Sequence, residues 1–432
     1  MLPHHHALLV EELYRNPNVQ NSNTQVEFKI SKKALIFILG LLSMLMPLSI
    51  DMYLPSMPTI AHDFNVADAT VQLTISCYLL GFSFGQLLFG PLTDSYGRRN
   101  ILIIGLIIFV FAAFGCAIAG NINQLITARF FHGIAAAATT IVINALMKDI
   151  YRDRDEFSKM MSFVMLISNV APLLAPIIGG FILYWFNWQA NFYTICLMAI
   201  ICFGLVVSYI PETLAKAKRD KFSIIRILSN FITLFRHRQA LTYMLIGAFA
   251  GAGLFSFLSL GPFVYMNLHG VASTNFGYYF ALNIVVMVMM NTLNSRFVKL
   301  VGSIKMMQLG LLIQFIMAIG LLIGTLFNFG FIYLVVCIAG YIGCMSTVGG
   351  NSMAVVLDFY PHIAGTASSL AGTIRFAIAG AIGISLSMLV SIHKTVTPIN
   401  DNTTEWLMVG SMVLCNFLAV GLFLSVKNIK RK

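Results

Sequence analysis

Three charged side chains, Asp51, Arg129 and Arg375, stand inside long apolar runs, where an ion is costly and therefore points to function. Asp51 lies in Ser49-Ile50-Asp51-Met52-Tyr53-Leu54-Pro55, near the far end of the first run. If the helix runs on toward Pro55, its carboxyl faces a cavity out of bulk water and suits the uptake and release of a proton; at the membrane interface it would be an ordinary exposed acid. Arg129, in Leu125-Ile126-Thr127-Ala128-Arg129-Phe130-Phe131-His132-Gly133, cannot deprotonate. It must find a carboxylate, a substrate oxygen or water, or snorkel to the nearby membrane face. His132 is expected to be packed, with a proton relay as the other option. Arg375, in Gly372-Thr373-Ile374-Arg375-Phe376, falls about a dozen residues into its run, near mid-membrane at about 1.5 Å rise per residue. It either lines the cavity or holds a helix-end carbonyl or a lipid phosphate. Two such arginines against one aspartate predict an electropositive cavity that prefers neutral, zwitterionic or anionic compounds to cations.

No soluble-enzyme constellation accompanies these residues: there is no Walker loop, dinucleotide fingerprint, paired metal ligands or serine elbow. An enzyme is therefore not expected, nor a cofactor or a metal site, and transport would draw on an ion gradient, with the proton as coupling ion. Of 432 residues, 58% are hydrophobic and only 10% charged, with a mean hydropathy of +0.85, the composition of a polytopic all-α membrane protein. The formal net charge of +11 reflects topology signals in alternate loops rather than a nucleic-acid footprint. The seven cysteines all fall inside apolar runs without metal or redox spacing. They read as small packing residues. His4-His5-His6 in the polar N-terminal stretch is assigned no role, and no cleavable signal peptide is expected.

Apolar runs near 33–54, 70–91, 101–119, 122–147, 160–184 and 190–210 precede a polar, basic stretch, and six more follow near 240–264, 275–294, 306–327, 330–356, 364–392 and 405–426. Each is long enough to cross a hydrocarbon core of about 30 Å. The expected organisation is a disordered cytoplasmic tail over 1–32, a six-helix bundle over 33–210, a basic cytoplasmic linker over 211–239, a second bundle over 240–426 and a basic tail over 427–432. Lysine and arginine occupy alternate loops, among them Arg98, Arg99, Lys148, Arg296 and Lys305, while the opposite loops hold only Lys394; the loop between the tenth and eleventh runs has Asp358 and His362 but no basic residue, so that hairpin rests on hydropathy alone. By the positive-inside rule both termini and the linker are cytoplasmic.

Gly90-Pro91-Leu92-Thr93-Asp94-Ser95-Tyr96-Gly97-Arg98-Arg99-Asn100, between the second and third runs, is expected to be a short charged turn. Gly90 lets backbones approach, Gly97 permits positive φ, and Asp94 can accept from a helix N-terminus. The pattern resembles the signature loop between helices 2 and 3 of the major facilitator superfamily of secondary transporters. A weaker copy, Asn294-Ser295-Arg296-Phe297-Val298-Lys299-Leu300-Val301-Gly302, follows the eighth run, as a duplicated six-helix architecture requires. The Arg129 segment resembles the superfamily's helix 4 motif, whose arginine takes part in proton coupling. Asn169-Val170-Ala171-Pro172-Leu173-Leu174-Ala175-Pro176-Ile177-Ile178-Gly179-Gly180 resembles the antiporter motif, with Ala171 where a glycine often precedes the first proline. Its prolines and glycine pair, Pro172, Pro176, Gly179 and Gly180, permit bending and close helix contact.

Together with Ile143 to Tyr151, Phe276 to Asn283 and Ala364 to Gly372, these segments are similar to the drug:proton antiporters of the superfamily, from about Lys33 to the C-terminus. The resemblance implies a major facilitator fold of twelve transmembrane helices in two halves. It implies export of drug-like compounds, such as bicyclomycin and sulfonamides, across a bacterial inner membrane in exchange for protons by alternating access. The implied partners are such small molecules, protons and the lipid bilayer, the implied state a monomer. Asp51 and Arg129 match the coupling positions, the Gly90, Asp94, Gly97, Arg98 and Arg99 set a cytoplasmic latch, and Tyr53, Asn144 and Arg375 are the candidate cavity residues. A proton-coupled uptake symporter for a small metabolite is the alternative on the same fold.

Overall fold

The computed structural model describes residues 30–151, 153–219, 237–359, 364–396 and 402–429. Residues 1–29 of the tail expected over 1–32, most of the linker (220–236) and residues 430–432 lie outside the described residues. Among the described residues twelve helices are long and apolar enough to cross a membrane: α1 (Lys32–Asp63), α2 (Asp68–Tyr96), α3 (Arg98–Ala117), α4 (Ile122–Ile150), α5 (Asp155–Trp185), α6 (Trp188–Tyr209), α7 (Arg238–Leu268), α8 (Ser273–Val301), α9 (Ser303–Phe327), α10 (Phe331–Phe359), α11 (Ala367–Ile392) and α12 (Thr403–Val426). No strand occurs among the described residues, as expected where each backbone amide must be satisfied within its own segment.

Within the first half α4 packs against α2, α3 and α1, and α6 against α3 and α1; within the second, α7 packs against α10, α11 and α12, and α9 against α10 and α12. Two seams join the halves, α2 on α11 and α5 on α8. The duplication is visible in the backbone: Gly97 (φ 98°, ψ 155°) separates α2 from α3, and Gly302 (φ 85°, ψ 157°) separates α8 from α9 in the same conformation. Only glycine adopts such a conformation without strain. The turn expected over Gly90–Asn100 is shorter than its charge suggested. α2 runs on to Tyr96 and α3 starts at Arg98, so Gly97 alone stands outside a helix.

Three interruptions matter for the site. In α1 the first segment ends at Asp51, a 3-10 turn covers Leu54–Ser56, and Met57–Asp63 resumes the helix; Pro55 and Pro58 sit at first-turn positions, where a missing N–H costs nothing. α5 breaks at Asn169, between Arg154–Ser168 and Val170–Trp185, because Pro172 offers no N–H to the carbonyl four residues back. α7 passes Pro262 and winds as a π-helix over Phe263–Leu268.

Candidate functional site

The centre of the first half is a buried cation at an α1 break. Arg129 has no exposure. Its Nη1 donates to the Ser49 carbonyl (2.9 Å), and its guanidinium stacks on Tyr78 (4.4 Å to the ring centroid), Tyr53 (4.8 Å) and Phe192 (5.7 Å). Arginine suits such a cage, since its plane stacks while its edge donates. The Ser49 hydroxyl donates to the Leu45 carbonyl (2.6 Å) and so accepts from His132 Nε2–H (3.3 Å); that leaves His132 Nδ1 to accept from Arg129 Nη1 (3.4 Å). His132 is thus packed, as expected, edge-on to Phe109 and Tyr78, and it also fixes Arg129.

Asp51, two residues beyond Ser49, is 6% exposed and has neither a hydrogen bond nor an ion pair with any described residue. Among the described residues no acid pairs with Arg129, and Asp51 in particular does not. Arg129 Nε and Nη2 are likewise buried without a partner. Two ionisable groups therefore lie in one helical bundle, each short of hydrogen bonds with described residues. Such groups pay a desolvation cost that a second arrangement can relieve.

The antiporter segment touches this centre. Gly179 packs on the backbone of Met52, next to Asp51, and Gly180 on the backbone of Ser273 at the start of α8; both are buried, with Ala171, Ala175 and Pro176. Pro172 stands one turn past the break at Asn169. Gly277 of α8 returns the contact against the backbone of Ile177, so the seam is closed at this end. Toward the Gly97 face the same two helices diverge around a crevice of about 1090 Å³, lined by Met161, Met165 and Asn169 on one side and Val288, Asn291 and Ser295 on the other. This seam is closed toward one face and open toward the other.

The latch residues converge at the Gly97 face. Arg98 Nη1 meets Asp94 (2.5 Å) and Arg98 Nε meets Asp149 of α4 (3.1 Å); Arg99 donates to the Val207 carbonyl (2.8 Å). Asp94 thus pairs with Arg98 of its own turn rather than a helix N-terminus, and Gly90 lies near Ser369 of α11. Sequence reasoning missed Glu212, whose Oε1 accepts from the backbone N–H of Arg98 (2.9 Å) and of Leu214 (3.0 Å), while Thr213 donates to Asp149 (2.8 Å). The first residues after α6, expected to be linker, are therefore part of the latch. The only signal was an acid amid basic residues.

The cavity candidates separate. Arg375 is exposed, opposite Gly251 of α7, with its guanidinium 4.9 Å from the Phe376 ring centroid and no ion pair to a described residue. Asn144 is exposed on α4. Tyr53 is a correction: it is fully buried, its hydroxyl 2.7 Å from Thr74 Oγ1, and it walls Arg129 instead of a cavity in this conformation. Arg129, equally enclosed, adds no charge to a cavity surface, so the expected electropositive lining reduces to Arg375.

Two six-helix halves related by duplication and joined along two seams, one of which opens toward the Gly97 face, with ionisable groups buried among the helices, are the build of a secondary transporter. The sequence profile of the Major Facilitator Superfamily matches residues 39–384, and the chain belongs to that superfamily. It is a multi-pass membrane transporter, not an enzyme, and its relatives include drug-resistance proteins. The chain is 37% identical over 404 residues to a bicyclomycin resistance protein homolog of Haemophilus influenzae, covering 93% of this chain and 99% of the relative. It is 26% identical to a chloramphenicol resistance protein of Pseudomonas aeruginosa, covering 85% and 87%. Among solved structures, a D-xylose-proton symporter superposes with a TM-score of 0.72 over 90% of this chain and 97% of that one at 14% identity, a likeness of fold alone.

Proposed function

We propose that this transporter exports drug-like compounds from the cytoplasm in exchange for protons, across a bacterial inner membrane, with both termini and the Gly97 face cytoplasmic. The observation that carries the reading is Asp51: a carboxyl almost wholly out of water, without a partner, at a helix break against the antiporter segment and beside a partly satisfied arginine. Such a group exchanges a proton only when the surrounding helices move, which is what coupling requires. The conformation open at the Gly97 face would take cargo from the cytoplasm; release on the other side would accompany proton uptake at Asp51, and the proton would leave inward. The latch of Asp94, Arg98, Asp149 and Glu212 would hold the first half rigid while the seams α2–α11 and α5–α8 pivot.

The similarity to bicyclomycin and chloramphenicol resistance proteins supports compounds of that size as cargo, and the exposed Arg375 supports neutral or anionic over cationic ones. Direction is tested by accumulation of labelled chloramphenicol in cells that express the protein. Export predicts lower accumulation than with Asp51→Asn, restored by a protonophore; higher accumulation would support the uptake symporter instead.

A further inference from the structure

The seam between α2, α7 and α11 holds a concentration of buried polar atoms without partners. Gln72 of α2 is fully enclosed with both amide atoms unpaired, Ser259 Oγ of α7 is unpaired at 1% exposure, and Gln86 Oε1 and Thr373 Oγ1 are unpaired deeper along the same seam. An amide left so costs about 1–3 kcal/mol, which a permanently closed interface would not keep. Ser76, one turn from Gln72, and Ser259 both flank Gly383 of α11, and Gly372 lies against Gln86.

The bonds that do close the seam are exchangeable. Ser387 of α11 donates to the Ala69 carbonyl (2.6 Å), Ser83 of α2 to the Thr373 carbonyl (2.9 Å) and Ser369 to the Gln86 carbonyl (3.2 Å). Each is a hydroxyl reaching to a main-chain oxygen across the two halves. On separation, a serine hydroxyl can turn back to the carbonyl four residues earlier in its own helix, as Ser385 and Ser391 of α11 already do (both 2.9 Å). Opening would then lose no serine hydrogen bond and would hydrate the orphaned amide and hydroxyls.

We propose that, when this seam parts at the face opposite Gly97 in the pivoting described above, Gln72 and Ser259 line its mouth and offer hydrogen bonds to uncharged amide or hydroxyl groups of the cargo. This rests on the transport reading above and adds the residues and the ligand chemistry of the second conformation.

Two variants test it. Gln72→Leu removes the unpaired amide at nearly constant volume; the expected result is a higher melting temperature of the purified protein together with a fall in chloramphenicol turnover of about tenfold, since the closed state is favoured. A lower melting temperature with unchanged turnover would show that Gln72 is structural and overturn the proposal. Ser259→Cys in a cysteine-free background, exposed to a membrane-impermeant thiol reagent from the face opposite Gly97, should react slowly. It should react roughly tenfold faster when Gly383→Leu, or the milder Gly380→Ala, wedges the seam, and more slowly with chloramphenicol present. Reactivity that neither wedge changes in folded protein would overturn the parting of the seam; reactivity that chloramphenicol leaves unaltered would overturn its role in cargo contact. The labelling reads the seam whether or not protons are exchanged, so a failure of antiport shows separately, as intact labelling without proton flux.

Discussion

Gly179 of α5 lies on the backbone of Met52, the residue that follows Asp51 at the end of the first α1 segment. The contact sets the Pro172–Gly180 segment against the main chain next to Asp51, with no side chain between them. Asn191 reinforces it, donating to the Ser56 hydroxyl (2.9 Å) and to the Gly179 carbonyl (3.2 Å). In Gly179→Ala, the added methyl would meet the Met52 carbonyl, and main chain cannot rotate aside as a side chain can. We expect a loss of about 1–3 kcal/mol in stability, typical of overpacking, and a larger loss of transport, because the break that orients Asp51 is displaced. Thermal unfolding in detergent and chloramphenicol efflux, measured on the same preparation, check both.

Arg129→Lys keeps the charge and loses the plane. Lysine cannot stack on Tyr78 and Tyr53 while its edge reaches the Ser49 carbonyl, and each cation–π contact is worth about 0.5–2 kcal/mol when desolvated. The expected outcome is a destabilised protein with transport reduced at least about tenfold. Near-normal efflux at normal stability would mean that the charge alone suffices.

Within the latch the acids should not be equivalent. The side chain of Asp94 is 54% exposed, and its pair with Arg98 should contribute about 0–1 kcal/mol; Asp149 is 25% exposed and receives both Arg98 and Thr213. Asp149→Ala should therefore lower the melting temperature more than Asp94→Ala, while both slow transport without abolishing substrate binding. Glu212→Ala removes the acceptor for the first N–H of α3 and should cost about 0.5–2 kcal/mol, as loss of a helix cap does. Melting curves of the three variants order them.

Arg375 should set charge preference. It is exposed, with no ion pair to a described residue, and repulsion of a cation at about 4 Å in water is about 1 kcal/mol, a severalfold effect. Arg375→Gln should raise ethidium transport relative to chloramphenicol, read as a change in the ratio of the two efflux rates.

Much of this was legible in the chain because the relevant signals are sums or special residues. Twelve runs stand out since hydropathy accumulates over some twenty positions, and Gly97 since only glycine takes its backbone conformation. What stayed hidden depends on single turns. Ser49 to Pro55 reads as one apolar stretch, so the end of the helix at Asp51 and the inward swing of Tyr53 onto Arg129 had no sequence mark. Arg129 was expected to reach an acid, substrate or water; a carbonyl and three rings satisfy part of it instead, a solution that only tertiary packing discloses. Glu212 was hidden by its place in a stretch that looked like linker, although it binds two backbone amides.

Exchange of a proton for cargo at Asp51 is read most directly as proton flux in inverted membrane vesicles under an applied pH gradient, on addition of bicyclomycin or chloramphenicol, with wild type and Asp51→Asn. If Asp51 is the coupling acid, the drug dissipates the gradient with the wild type and leaves it intact with Asp51→Asn. A wild-type gradient indifferent to both drugs, or equal dissipation by the two proteins, would contradict that role.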